Sequence, residues 1–280
     1  MAGILYIVAT PIGNLEDMTF RAVRTLKEAD LIAAEDTRHS RKLLAHFGIT
    51  TPLTSYYDHN QALKGEQLIA ALLQGKQVAL ISDAGTPCIS DPGYQLVRDA
   101  LEAGIRVVPV PGACAAIAAL SVAGLPTDNF TFAGFPPNKE GKRRTFLGVF
   151  AAAHGTLVLY EAPHRVAATL SDITAVLGER QVVVARELTK LYEENLHGTA
   201  SQVREQVQDG RERGEVVILV APADDTSQPH TGPPPEELLQ QQLQQGHSVK
   251  EAAALVAAAT GLPRRELYAQ ALIIKNKEHT

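Results

Sequence analysis

Three loops in the first 113 residues are built from residue types that let a backbone come close to a ligand. They read Thr10-Pro11-Ile12-Gly13-Asn14, Ser82-Asp83-Ala84-Gly85-Thr86-Pro87 and Pro111-Gly112-Ala113. Glycine and alanine keep side-chain bulk away from main-chain amides and carbonyls, so such loops suit an adenosine-bearing cofactor held by backbone hydrogen bonds. Turns of this composition also occur in α/β proteins that bind nothing there, so composition leaves both readings open. The chain contains no G-x-G-x-x-G and no G-x-x-x-x-G-K-[ST], which disfavours a nicotinamide dehydrogenase and a P-loop NTPase. Cys88 and Cys114 stand in no C-x-x-C pair and beside no histidine at ligand spacing. Small buried thiols, and no metal, are therefore expected.

Charge gives a second set of candidates. The net charge of −5 excludes a protein coated in nucleic acid, because phosphate binding needs clustered cations. Any nucleic-acid surface must be local, and Lys139, Lys142, Arg143 and Arg144 supply four cations within six positions. A solvated helix face is the competing reading of such a run. Aromatic residues make up 5% with no Trp, which argues against extensive base stacking.

The elements that must position these loops follow from periodicity. Short apolar, β-rich runs at 4–9, 31–34, 78–82 and 105–110 alternate with amphipathic stretches such as 61–73, the signature of βαβ units and a mostly parallel sheet. The small-residue loops follow strands, and ligands of open α/β sheets bind outside the carboxyl ends of strands. A second series of strands, at 130–135, 156–161, 181–186 and 216–221, predicts a second α/β lobe, with the boundary near 123–126. Residues 1–123 and 124–222 are thus expected as two lobes, 223–235 as an exposed Pro-rich linker, and 236–280 as a helical module. In that module Ser248 is a plausible N-cap, and Gly261 marks the turn before a helix from Arg264 to about Ile274. Such a pair resembles a helix-turn-helix, although any two packed helices need a turn. The apolar start, 1–10, has no preceding basic region and meets Pro11, so it predicts a strand rather than a leader. The Ala-rich run 113–125 is thirteen residues long, which suits a buried helix in a soluble, cytoplasmic protein.

The loops also match a family in wording. The strings Tyr6-Ile7-Val8-Ala9-Thr10-Pro11-Ile12-Gly13-Asn14-Leu15, Ala33-Ala34-Glu35-Asp36-Thr37-Arg38 and Leu80-Ile81-Ser82-Asp83-Ala84-Gly85-Thr86-Pro87 resemble the tetrapyrrole methylase superfamily. So do Ser90-Asp91-Pro92-Gly93-Tyr94, Gly134-Phe135-Pro136-Pro137, Tyr160-Glu161-Ala162-Pro163-His164-Arg165 and Ala185-Arg186-Glu187-Leu188-Thr189-Lys190. Within that superfamily they are most similar to the branch that methylates small-subunit ribosomal RNA.

The resemblance implies two α/β lobes with S-adenosylmethionine in the cleft between them, in a homodimer, with a cytidine ribose 2′-hydroxyl as methyl acceptor. The substrate would be small-subunit ribosomal RNA or the assembled 30S subunit, with no membrane partner. It also implies that Pro11, Ile12, Gly13 and Asn14 line the cleft, and that Asp83, Ala84, Gly85, Thr86 and Pro87 with Ile89 and Ser90 approach the methionine portion. Gly112, Ala113, Tyr160 and Ala221 would lie on the adenosine side. One departure is Ala162-Pro163-His164, where related sequences carry Ser or Thr. Methylation of a tetrapyrrole carbon is the alternative on this fold, and a cofactor-sensing DNA-binding regulator is a third reading.

Displacement at a sulfonium needs alignment above all. A base accepting the hydroxyl proton could add about 10²- to 10⁴-fold. Candidates are His59, Glu161, His164, Glu187 and Lys190. His59 also fits a turn between Asp58 and Asn60, Asp36 or Thr37 fits a helix cap, and Arg186 with Glu187 fits a structural ion pair. RNA contacts are expected from Lys139, Lys142, Arg143, Arg144, Arg264 and Arg265, with Arg165, Lys275 and Lys277 as further candidates.

Overall fold

Strands Ile4–Val8 (β1), Leu31–Ala34 (β2), Leu53–Ser55 (β3), Val78–Ile81 (β4) and Arg106–Val110 (β5) pair in the order β3-β2-β4-β1-β5 in the computed structural model. The structure describes residues 2–57, 60–207, 214, 216–223, 233–260 and 264–277, without the side chains of 258, 266, 276 and 277. Every pairing in this first sheet is parallel. Helices Phe20–Glu28 (α1), Thr37–His46 (α2), Gln61–Leu73 (α3) and Tyr94–Glu102 (α4) make the crossovers that parallel strands require. The central strand β4 is buried along its whole length. Its Val78 and Leu80 pack with Leu68, Leu72 and Leu96, while Ala79 and Ile81 pack with Leu26 and Leu44. That alternation, apolar on both faces, is what a parallel sheet between two helical layers demands. Strand β3, with three residues, is too short for periodicity to reveal.

The second sheet departs from the parallel pattern. Phe130–Gly134 (β6), Thr156–Glu161 (β7), Gln181–Arg186 (β8), Glu194–Thr199 (β9) and Val216–Val220 (β10) run in the order β6-β7-β10-β8-β9. Only β6 and β7 are parallel; the remaining three pairings are antiparallel. One face of the sheet is covered by Ala115–Val122 (α5), the helix that leaves β5. Its Ala116, Ala119 and Leu120 pack with Val158, Val183, Val217 and Leu219, so small residues on α5 join the first sheet to the second. Helices Glu140–Gly148 (α6), Val166–Leu177 (α7) and Ala200–Gln206 (α8) cover the opposite face through Leu147, Leu170, Ile173 and Val203. The thirteen-residue Ala-rich run thus contains an eight-residue helix that buries one face, Ala116, Ala119 and Leu120, and leaves Ile117 and Val122 exposed.

Both sheets belong to one compact unit, Met1–Pro222, and Ala223–Thr280 forms a second. The second unit holds Pro235–Gln244 (α9), Val249–Thr260 (α10) and Arg264–Lys277 (α11) around Leu239, Val256, Leu267 and Ala271. Ser248 caps α10 as its position predicts. Its hydroxyl accepts from the Glu251 amide at 3.3 Å, and the Glu251 carboxylate accepts from the Ser248 amide at 2.9 Å, a reciprocal capping box. The turn at 261–263 and most of the expected linker, 224–232, lie outside the described residues. Among the described residues no helix is long and apolar enough to cross a membrane.

Candidate active site

The chain leaves β1 toward β2 over the α1 face and leaves β4 toward β5 over the α4 face. The carboxyl ends of β1 and β4 are therefore a topological switch point, where connections diverge and a crevice opens. The two small-residue loops meet there. The Thr10 amide donates to the Gly85 carbonyl at 2.8 Å, and the Gly85 amide donates back at 3.1 Å. Thr86 Oγ1 donates to the Ala113 carbonyl at 3.0 Å, tying in the third loop. The Asp36 amide donates to Asp83 Oδ1 at 3.0 Å.

Against these loops lies a cavity of about 330 Å³ that also reaches β7 and β10, within the range of small-ligand sites. Of the residues singled out in the sequence, Asp83, Ala84, Gly85, Thr86, Ile89, Ser90, Tyr160 and Glu161 line it. Ile12, within the expected turn 11–14, lines it too, whereas Glu35, Asp91, Cys114, Ala115, Phe135, Val216 and Val217 complete most of the wall and are not among the expected site residues. Phe135 was legible in the Gly134-Phe135-Pro136-Pro137 string. Val216 and Val217 were not, because only strand direction brings them here. The lining holds four carboxylates, Glu35, Asp83, Asp91 and Glu161, and among the described residues no Lys, Arg or His. Such a wall favours a ligand with an apolar body and a positive charge.

The loops around the cavity are held in uncommon conformations. Cys88 and Ser90 have φ of 72° and 65°, and Glu187 and Thr189 have 49° and 67°. Left-handed non-glycine residues each cost about 1–3 kcal/mol and concentrate where a site is preorganised. Gly93, at φ +139°, lets Cys88 approach: a Cβ there would lie 2.7 Å from Cys88 Sγ. Burial and the nearby Asp91 push the Cys88 thiol up to about 11. The Tyr160 hydroxyl accepts from the Ala116 amide at the start of α5, at 3.2 Å. Its ring meets Phe132 and Phe135 edge-on, with centroids 4.8 and 5.5 Å away. Burial raises the phenol above its ordinary range, so it serves as a neutral hydrogen-bonding wall.

The proton-acceptor candidates separate. Glu161 is 2% exposed, and its carboxylate accepts from Thr169 Oγ1 at 2.5 Å and the Ala162 amide at 2.8 Å, with Arg165 Nε at 3.3 Å. Its acceptor capacity is spent on structure, which argues against a base. His164 is exposed on the single turn Pro163–Arg165 and lines neither of the cavities at these loops. Glu187 and Lys190 pair at 3.0 Å, while Arg186 pairs with Glu194 at 3.5 Å. Lys190 lays its stem on Gly13, where a Cβ would sit 2.5 Å from Lys190 Cγ. His59 lies outside the described residues. Asp36 takes the capping role, accepting from the Arg38 amide at 2.8 Å, and the Arg38 guanidinium and this bond hold its carboxyl well below the usual range. Asn14 is likewise a cap, accepting from the Glu16 amide at 3.0 Å.

Three further expectations are corrected. Ala221 lies past the far end of β10, whose antiparallel course brings Val216 rather than Val220 beside Glu161. Five residues along a strand is about 17 Å, so Ala221 does not reach this cavity. Arg143 is 5% exposed and, with Arg144, grips Asp172: their Nε atoms lie 2.7 Å from its two oxygens. A guanidinium so buried and paired has no capacity for phosphate, and Arg144 also pairs with Glu140 at 2.8 Å. The Arg165 guanidinium likewise holds the Pro136 carbonyl at 2.6 Å and Asn138 Oδ1. Lys139, Lys142, Arg264, Arg265 and Lys275 are exposed, and the Lys277 side chain lies outside the described residues. Pro11, Gly13 and Lys190 line a second cavity, of about 420 Å³, that shares Ile12, Asp83 and Ala84 with the first.

Comparison with known proteins agrees with this architecture. Residues 4–204 match the family Tetrapyrrole (Corrin/Porphyrin) Methylases, and residues 234–275 match the RsmI C-terminal HTH domain. The chain is 50% identical to Ribosomal RNA small subunit methyltransferase I of Escherichia coli O157:H7, over 96% of this chain and 95% of that protein. It is 47% identical to the protein of the same name from Halalkalibacterium halodurans, over 95% and 93%. Among solved structures, uroporphyrin-III C-methyltransferase from Thermus thermophilus, complexed with S-adenyl homocysteine, superposes with a TM-score of 0.54 at 22% identity, covering 78% of this chain and 97% of that one. That last likeness is one of fold.

Proposed function

We propose, for a chain that belongs to the tetrapyrrole methylase family and to its ribosomal RNA small subunit methyltransferase I branch, that it transfers a methyl group from S-adenosylmethionine to a cytidine ribose 2′-hydroxyl of small-subunit ribosomal RNA. The observation that carries this is the first cavity. Its carboxylate-bearing, largely apolar wall, closed by Tyr160, Phe135 and Val217, matches a cofactor that joins a flat heterocycle to a sulfonium and an ammonium. The bound cofactor supplies a methyl group on an already activated sulfur leaving group. The chain's own part is positional. Gly85 and Thr86 present a backbone locked by the Thr10 and Ala113 bonds, and preorganisation of this kind lowers the barrier by holding donor and acceptor in line.

The Ala223–Thr280 unit is read as the RNA-docking part, because Arg264 and Arg265 are exposed on it in an acidic chain. A cytoplasmic homodimer acting on free RNA or the assembled subunit completes the reading. Tetrapyrrole methylation is disfavoured because relatives identical at 47% and 50% over nearly the whole chain carry the ribosomal name. The test is a map of ribose methylation in ribosomal RNA with and without the gene, beside methylation of purified small subunits by the full chain and by a chain lacking 236–280. One 2′-O-methyl cytidine should vanish without the gene, and the shortened chain should bind cofactor normally but methylate at under about a tenth of the full rate. An unchanged methylation map would refute the assignment.

A further inference from the structure

The second cavity has the opposite electrostatic character to the first. Helix α2 reads Thr-Arg-His-Ser-Arg-Lys-Leu-Leu-Ala-His, so five of its ten residues are basic or histidine. His39, Lys42 and His46 stand at i, i+3 and i+7, which one face of a helix presents as a stripe. Ser40 and Leu44, on the adjoining face, are buried against the sheet. The stripe is therefore turned outward, and all three side chains line the cavity with Lys190 arriving from the other side. One carboxylate, Asp83, faces them, and it already accepts from the Asp36 amide at 3.0 Å. Lys190 also keeps its 3.0 Å pair with Glu187. Exposed Arg41 extends the positive charge along the helix.

Resting on the function proposed above, we infer that this cavity is the acceptor subsite, where Lys42, His39, His46 and Lys190 grip the phosphate of the RNA nucleotide being methylated. The two cavities share Ile12, Asp83 and Ala84, so a nucleotide held by its phosphate in the second stands one residue's thickness from the cofactor in the first. Opposite linings sort the two reactants: carboxylates draw the cationic cofactor, and cations draw the polyanion. The Gly13 turn makes the passage possible. A side chain there would collide with Lys190, whose stem lies across the turn and carries the ammonium to the rim. The substrate grip thus lies on α2 and the β1 turn, beside the reacting atoms, in addition to the docking charge at Lys139, Lys142, Arg264 and Arg265.

The experiment uses the full-length protein, with Lys42→Gln, the double variant His39→Gln/His46→Gln, and Lys42→Arg as the charge-conserving control. Small ribosomal subunits from cells lacking the gene are the substrate. Lys42→Gln should raise KM for the subunit about tenfold and leave kcat within about twofold. It should also lower the salt slope of RNA binding by about 0.7–0.9, the value of one phosphate no longer neutralised. The histidine pair should raise KM similarly, and Lys42→Arg should stay within about twofold of wild type. Melting temperature and S-adenosylmethionine binding by calorimetry should be unchanged in all three. Wild-type KM and slope in Lys42→Gln and in the histidine pair would overturn the subsite alone. Loss of cofactor binding in them would overturn it by giving the cavity to the cofactor. A wild-type protein that methylates no subunit would overturn the functional reading beneath it instead.

Discussion

Alanine and valine at Gly85 separate backbone strain from occupation of the cofactor cavity. Gly85 sits at φ +77°, and a Cβ added there would lie 3.3 Å from Ile12 Cγ2 and 3.8 Å from the Ala113 carbonyl. Alanine therefore fits with a shift of a few tenths of an ångström, and its cost is chiefly the left-handed backbone, about 1–2 kcal/mol. In a unit of this size that lowers the melting temperature by about 2–8 °C. Valine adds two methyl groups beside Ile12, which lines the same cavity, and overpacking adds about 1–3 kcal/mol. The sum stays inside the roughly 5–15 kcal/mol by which domains are stable, so the protein should remain folded. Cofactor affinity should diverge: within about threefold of wild type for Gly85→Ala, and at least about 100-fold weaker for Gly85→Val, or about 2.7 kcal/mol. Scanning calorimetry beside titration calorimetry reads both quantities. If Gly85→Val melts several degrees lower yet binds S-adenosylmethionine as wild type does, Gly85 is a turn residue only, and the cavity has been assigned to the wrong ligand.

Asp172→Ala should destabilise the protein by about 3–5 kcal/mol in urea, because it strands the buried Arg143 guanidinium without its carboxylate; a loss under about 1 kcal/mol would show that the pair is not the anchor of α6 on α7. For Cys88, alkylation by iodoacetamide at pH 8 should run about 10- to 100-fold slower than for a free cysteine, since the folded thiol is pushed up to about 11. The raised value also sets a sign: the proton the folded state retains stabilises it fully below about pH 9, and this contribution fades as pH rises from about 9 toward about 11. A Cys88→Ser protein should lose that alkaline step; an equal drop in stability above about pH 9 in the variant would assign it to another group.

Much of the site was legible in the chain because it depends on local chemistry. A run such as Val78–Ile81 is a buried strand in almost any α/β context, and the loop after it needs small residues to bring backbone to a ligand. Gln61–Leu73 and the Ser248 cap of α10 are likewise decided by short-range spacing and hydrogen bonding. Two strands escaped notice for local reasons too: Leu53–Ser55 offers too few residues for a period, and the six residues of β9, Glu-Asn-Leu-His-Gly-Thr, are mostly polar and carry no apolar alternation.

What the tertiary structure alone decided are the partners and directions that couple residues far apart in the chain. Strand direction exchanged Ala221 for Val216 and Val217 at the cavity, since an antiparallel β10 presents its first residues where a parallel one would present its last. Packing of α7 beside α6 put Asp172 against Arg143 and Arg144, 29 and 28 residues away, turning half of an apparent RNA-binding run into structure. The same long-range packing turned the α2 stripe of His39, Lys42 and His46 toward the β1 loop and Lys190. Residue types set what charge and hydrogen-bonding capacity a segment carries. Whether that capacity is spent inside the protein or left for a ligand depends on which neighbours folding delivers, and spacing along the chain does not encode that neighbour.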